Sequence, residues 1–134
     1  MIMKKIEYYV LELPEFEKNV RRLTKKKKFA SLPSQVDELE LGLEEGDFPG
    51  TLYRHSKDPE PHDIYKLRMA NPDSNVGKSG GYRIYYIVVT QRKIVVMLTI
   101  YYKKEDEAVT DAYIDGLVDG VFLEYIPESE SDTL

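Results

Sequence analysis

The sequence predicts an α+β domain in which two N-terminal helices pack on one face of a mostly antiparallel sheet of about four strands. Apolar residues recur at helical spacing in the first third of the chain, whereas the later part carries alternating or continuous apolar runs typical of strands. The chain has 134 residues, of which 42% are hydrophobic, and this is enough to form one core. We therefore expect a two-layer domain whose second sheet face is open to carry chemistry.

The N-terminal elements are predicted as one strand and two helices. Residues 3–12 alternate as a strand, and Pro14 suits the first turn of a helix. Basic residues 25–28 suit the end of that helix, where they complement its dipole. A second helix is predicted from about Ser34 to Glu45, with Ser34 as its N-cap.

The central part of the chain is predicted to form a loop followed by three strands. Residues 50–63 contain glycine, prolines and mixed charges, which predict a loop. Strands are predicted at 62–70, 81–90 and 93–103, and the last two form a hairpin. Residues 72–81 are expected to link the first of these strands to the hairpin as a flexible basic loop.

The C-terminal part is predicted as a helix from about Asp106, followed by an acidic end. We place the domain at residues 1–115 and an acidic tail, partly disordered, at 116–134. The tail has two interpretations. It is solvated, or it folds back over a basic surface and mimics RNA or a protein inhibitor.

Charge is unevenly distributed along the chain. The net charge is −5, yet residues 105–134 contain ten Asp or Glu and no Lys or Arg. Residues 64–104 contain eight Lys or Arg and a single acid, Asp73. This asymmetry suggests a polyanionic partner, although basic side chains on strands can also simply face water.

Several classes of site are excluded by the sequence. The absence of cysteine rules out disulfides, thiolate zinc sites and cysteine nucleophiles. The "GKS" at 77–79 has Pro72 where a phosphate-binding loop needs glycine, and it precedes a strand rather than a helix. His55 and His62 lack zinc-binding spacing. We expect no metal or cofactor. Because the apolar runs fall far short of about 20 residues, we also expect a soluble cytoplasmic protein.

Strand parity predicts a cluster of cations and tyrosines on one sheet face. Residues two apart share a face, and the pairs concerned are Lys66 with Arg68, Arg83 with Tyr85, and Tyr101 with Lys103. Lys78, on the preceding loop, is expected to reach the same surface. Such a cluster suits phosphate binding and base stacking. The alternative is the ordinary polar face of an antiparallel sheet.

Residues 5–115 resemble the RelE/ParE superfamily of toxins from type II toxin–antitoxin systems, and are most similar to the RelE/HigB-type mRNA interferases. The resemblance lies in "LPEFEKNVRRL", "YKLRMA", "GKSGGYRIYYIVV" and "VVMLTIYYKKEDEAVT", taken in that order. It implies a small sheet backed by two helices. It also implies metal-independent cleavage of mRNA, usually on the ribosome, by attack of a ribose 2′-hydroxyl on the adjacent phosphate.

The resemblance also implies roles for individual residues. Arg83 matches the strand arginine that grips the scissile phosphate. Lys66 and Arg68 match a basic pair that binds RNA and stabilises developing charge. Tyr101 and Lys103 lie where the family places a residue for proton transfer or base stacking. Three further assignments remain: Lys78 matches the loop lysine, Tyr85 is counted with the RNA-binding residues, and strand parity favours Tyr101 over Tyr102.

The implied partners are a cognate antitoxin, mRNA and the ribosome, with no membrane and no DNA binding by the toxin alone. Two alternatives remain open within the superfamily. The chain is a ParE-like toxin that inhibits DNA gyrase without nuclease activity, or it is a catalytically inactive RNA-binding member.

Overall fold

The computed structural model describes residues 7–74, 77, 80–104 and 109–126, which form a five-stranded sheet and three α-helices. The strand order is β1-β5-β4-β3-β2, with β1 parallel to β5 and every other pair antiparallel. The elements are β1 (Tyr9–Glu12), α1 (Pro14–Lys25), α2 (Leu32–Glu44), β2 (Thr51–Ser56), β3 (His62–Met69), β4 (Tyr82–Val89), β5 (Ile94–Tyr102) and α3 (Asp111–Glu124). The predicted α+β class and the placement of two N-terminal helices are confirmed, and the sheet has one strand more than expected.

The first face of the sheet is covered by α1 and α2. Phe16 and Leu23 of α1, and Leu43 of α2, are fully buried against alternate residues of β4 and β5, among them Tyr86 and Met97. The helical spacing of these apolar residues puts them on one side of each helix, and that side is the one buried. Sequence periodicity therefore located this core correctly.

The second helix begins earlier than the sequence predicted. It starts at Leu32, after Ser31 in the capping position, so Ser34 lies inside the first turn and is not the N-cap. Ser31 caps no helix N–H with its side chain; its hydroxyl instead donates a hydrogen bond to the carboxylate of Asp73 at 2.9 Å. The helix start has no side-chain cap. It is favoured instead by a proline in the first turn, whose fixed φ already suits a helix.

The predicted loop at residues 50–63 is partly wrong, because Thr51–Ser56 forms β2, an edge strand paired with β3. Its prolines lie outside the paired residues, so they remove no hydrogen bond from the ladder. Gly50, just before β2, allows the chain to come close to the backbone of β3. It has φ +105°, and a Cβ there would lie 2.6 Å from the carbonyl oxygen of Lys66.

The second face of the sheet was expected to be open, but α3 packs across part of it. Ile114, Val118 and Val121 of α3 are buried against residues of β4 and β5 such as Ile87 and Leu98. The helix begins at Asp111, after the N-cap Thr110, and the expected boundary at residue 116 falls within it. Residues 127–134 of the expected tail lie outside the described residues. None of the helices in the described ranges is long and apolar enough to cross a membrane.

Candidate nucleic-acid interface

Five of the predicted site residues lie on one face of three adjacent strands. Arg68 of β3, Arg83 of β4 and Tyr101 of β5 stand directly opposite one another across the strands, and Lys66 stands opposite Tyr85. Their neighbours in sequence, such as Leu67, belong to the core on the first face. We call Lys66, Arg68, Arg83, Tyr85 and Tyr101 the tyrosine–cation cluster.

A bulge in β5 does not disturb this cluster. The register shifts by one residue between the pairs Tyr85–Thr99 and Tyr86–Met97, so Leu98 has no partner in β4. The shift lies before Thr99, and pairing is regular from there to the end of β5. Tyr101 therefore keeps the parity that the sequence predicted.

The members of the cluster differ in their exposure to solvent. Arg68 is exposed and Lys66 is half-buried, whereas Arg83 is 2% exposed and Tyr85 is 3% exposed. The Nη1 of Arg83 donates to the carbonyl oxygen of Tyr82 at 3.2 Å. The sequence placed Arg83 on the correct face but did not predict that its guanidinium would be buried. A ligand in this conformation meets Arg68 and Lys66 first.

The two tyrosines of the cluster are coupled through their hydroxyl groups. Burial, as the main cause, raises the pKa of both Tyr85 and Tyr101. The hydrogen bond between their phenols raises the pKa of Tyr101 and lowers that of Tyr85. The positive charge of Arg83 opposes the rise in both tyrosines. Both phenols therefore keep their protons at neutral pH.

Lys66 also contacts the face of an aromatic ring. Its Nζ lies 5.6 Å from the ring centroid of Tyr85. A cation at this distance is attracted by the negative face of the ring. The contact holds the ammonium group over the centre of the cluster.

Two residues of β2 extend the cluster, and the sequence analysis missed both. The register of β2 shifts between Leu52 and Arg54, so Tyr53 and Arg54 both contribute to the second face. The ring of Tyr53 meets that of Tyr85 edge to face at 5.2 Å, and the guanidinium of Arg54 lies 5.3 Å from the ring centre of Tyr53. The β-branched and aromatic residues of "TLYRHS" were the available strand signal.

A polar network joins α1, β5 and α3 beside the cluster. The amide of Asn19 donates to Glu15 Oε2 at 3.1 Å and to Thr99 Oγ1 at 3.3 Å. The hydroxyl of Tyr113 on α3 donates to the same carboxylate oxygen of Glu15. Burial and this hydrogen bond raise the pKa of Tyr113 to about 12. The network fixes the first turns of α3 relative to the sheet.

The remaining predicted residues lie at the margin of the cluster or outside the described chain. Lys103 is exposed and follows the last residue of β5, and its N–H donates to the carbonyl oxygen of Gly81 at 3.0 Å. Lys78 lies outside the described residues, so its expected place on the loop stays a prediction.

The histidines lie apart from the cluster. His55 Nδ1 lies 2.6 Å from Asp63 Oδ1 across the β2–β3 pair. His62 is 4% exposed, and its Nδ1 donates to the carbonyl oxygen of Glu60 at 2.9 Å. Within the described ranges no group of three or more His, Cys, Asp or Glu residues is placed to hold a metal ion.

Comparison with solved structures places this architecture among known folds. An arginine-to-alanine double mutant of the E. coli toxin RelE in its free state superimposes with a TM-score of 0.52 at 19% sequence identity, covering 87% of this chain and 99% of that one. The isolated E. coli RelE toxin gives a TM-score of 0.47 at 17% identity, covering 84% and 97%. No protein-family model and no curated protein matches the sequence. The chain has a RelE-like fold.

Proposed function

We propose that this protein is the toxin of a type II toxin–antitoxin system and a metal-independent mRNA endoribonuclease that acts at the ribosome. The observation that carries the proposal is the tyrosine–cation cluster on the second face of a sheet with RelE-like fold. Clustered cations attract phosphates, and tyrosines stack on bases or donate protons. Its partners are mRNA, the ribosome and a cognate antitoxin, and its location is the cytoplasm.

In the proposed reaction a ribose 2′-oxygen attacks the adjacent phosphorus as its proton passes to a water molecule, and the bond from phosphorus to the 5′-oxygen breaks. The products are a 2′,3′-cyclic phosphate and a 5′-hydroxyl, which takes up one proton. Lys66 and Arg68 stabilise the charge that develops on the phosphate oxygens. Tyr101 supplies the proton to the 5′-oxygen, since its raised pKa keeps the phenol protonated. Lys103 adds an RNA contact at the margin of the cluster, and Lys78 is proposed as a further RNA-binding residue.

Arg83 is proposed to grip the scissile phosphate after the side chains above it shift. Its burial is the specific observation that favours a second candidate, a catalytically inactive RNA-binding member of the same fold. In that case Lys66 and Arg68 bind RNA, while Arg83 only supports the sheet and the two tyrosines.

Induced expression in a bacterial host tests the proposal, with growth and the 5′ ends of cellular mRNA as readouts. The wild type is compared with Arg68→Ala, which changes an exposed cluster cation, and with Arg21→Ala, which changes an exposed arginine on α1. Growth arrest with new mRNA ends in the wild type and in Arg21→Ala, both reduced in Arg68→Ala, supports the nuclease. Neither growth arrest nor new mRNA ends from the folded wild type supports the inactive member. Arrest without cleavage points to a gyrase-directed toxin.

A further inference from the structure

Two donor groups beside the tyrosine–cation cluster are held by carboxylates of α3. The hydroxyl of Tyr53 donates to Asp111 Oδ1, and Nη1 of Arg54 donates to Asp115 Oδ1. Both carboxylates lie one turn apart on the same helix. The two donors are consecutive residues of β2, turned to the same face by its irregular register.

The donors of Tyr53 and Arg54 could bind a phosphate, but here the carboxylates of Asp111 and Asp115 take its place. A guanidinium and a phenol donate equally well to a carboxylate and to a phosphate oxygen, and arginine binds either as a planar fork. Tyr53 also presents a ring that meets Tyr85 edge to face at 5.2 Å, so the pair is continuous with the cluster. A nucleotide next to the scissile one would meet an aromatic ring and an arginine here.

The polar contacts between α3 and β2 are exposed to water, although the apolar side of α3 is buried against the sheet. The side chains of Arg54 and Asp115 are 37% and 51% exposed, and Asp111 and Tyr113 are exposed as well. Ion pairs between exposed side chains are weak and are screened by salt. Residues 109–126 contain no Lys or Arg, so α3 presents only negative charge beside the cations of the sheet.

A cavity of about 890 Å³ lies between α3 and strands β2 and β3, and both Arg54 and Asp115 line it. It is large enough for a small ligand. The pair of Arg54 and Asp115 therefore borders open space, where a ligand could approach the guanidinium without displacing the buried side of α3.

We propose that Tyr53 and Arg54 form a further nucleotide subsite, and that Asp111 and Asp115 of α3 occupy its donors until RNA displaces them. The inference rests on the proposed RNA binding. It assigns α3 the role of an internal competitor, and it explains why Tyr85 is 3% exposed in this conformation.

The test measures binding of a short fluorescein-labelled single-stranded RNA to the full chain by anisotropy, over a series of salt concentrations. Asp115→Asn releases Arg54 while removing only an exposed ion pair. We expect its affinity at low salt to be about 3- to 10-fold higher than that of the wild type. The slope of log K against log[salt] should become steeper by about 0.7, because one more phosphate is contacted on a single strand.

Two variants sharpen the result. Glu124→Gln removes the same charge at the exposed end of α3, away from Arg54, and should bind as the wild type does. Adding Arg54→Ala to Asp115→Asn should abolish both the gain in affinity and the steeper slope. Thermal melting checks that each variant is folded.

The outcomes separate this inference from the proposed function. If the wild type binds RNA and Asp115→Asn behaves as Glu124→Gln does, the subsite is wrong while RNA binding stands. If no variant binds RNA, both the inference and the proposed function are overturned. If only Asp115→Asn binds, the internal competitor is supported directly.

Discussion

Tyr101 is the residue on which the proposed chemistry depends most directly. Tyr101→Phe removes one hydroxyl and leaves the ring in place, so we expect RNA affinity within about twofold of the wild type. The rate of cleavage at saturating protein should fall by about 100- to 1,000-fold, the usual contribution of a positioned proton donor. The measurement is single-turnover cleavage of mRNA with ribosomes present.

Tyr9→Phe is the matched control, because Tyr9 lies on β1 and is 69% exposed. It should leave the rate unchanged. Equal rates for Tyr101→Phe and the wild type would show that another group supplies the proton.

Glu40 on α2 is a half-buried residue whose Oε2 is buried, and the proposed function does not use it. Burial, followed by the hydrogen bond and charge of Glu12, raises the pKa of Glu40 to about 9. The folded chain therefore keeps a proton that the unfolded chain releases near the ordinary value of 4.5. Stability is full below pH 4.5 and is lost progressively as the pH rises toward 9.

Glu40→Gln should consequently stabilise the protein at pH 8 by about 1–2 kcal/mol and have little effect at pH 4. The amide keeps hydrogen-bonding ability and cannot ionise. Urea unfolding at the two pH values measures the difference. Glu38→Gln, an exposed change on the same helix, is the control. A gain that does not depend on pH would contradict this assignment of the proton.

The pairing of β3 with β4 places Arg68 opposite Arg83, and it depends on the glycine just before β4. A Cβ at Gly81 would lie 2.2 Å from the carbonyl oxygen of Met69, closer than any real contact. Gly81→Ala should therefore cost about 2–4 kcal/mol of unfolding free energy and weaken RNA binding, because the backbone has to separate there.

Gly116→Ala is the same change on α3, where nothing lies within 4 Å of the added Cβ. It should stabilise the protein by about 0.5–1 kcal/mol through helix propensity. Chemical denaturation of both variants measures these two changes in the free energy of unfolding. A Gly81→Ala protein as stable as the wild type would mean that the two strands close differently.

Segregation of charge over the whole molecule explains how a chain of net charge −5 can be proposed to bind RNA. Residues 64–104, which contain β4, β5, most of β3 and the segments between them, hold eight Lys or Arg and one acid, while acids dominate α2, α3 and the C-terminal residues. Exposed charges farther apart than about 8 Å are largely screened at physiological salt, so a ligand responds to the local surface rather than to the net charge.

Salt dependence tests which basic surface matters. Changing Lys66 and Arg68 together to alanine should make the slope of log K against log[salt] shallower by about 1.4, since two phosphate contacts are lost. Changing Lys25 and Lys26 at the end of α1 should leave the slope unchanged, because those lysines complement the helix dipole. The opposite result would move the RNA site from the sheet to α1.

The sequence by itself determined the fold class, the first core and the faces of the strands. These follow from local periodicity. In a regular strand a residue two positions along returns to the same face, so the sequence alone groups the pairs Lys66 with Arg68 and Arg83 with Tyr85, and it places Tyr101 with them. The bulge in β5 left that grouping intact because it precedes the residues concerned.

Only the tertiary structure decided what covers those residues and which others join them. An edge strand such as β2 is stabilised by its partner β3 rather than by its own pattern, and its residues Tyr53 and Arg54 therefore escaped prediction. The burial of Arg83 depends on elements distant in sequence. The docking of α3 arises because an apolar sheet face must be covered, and local periodicity does not say by which segment.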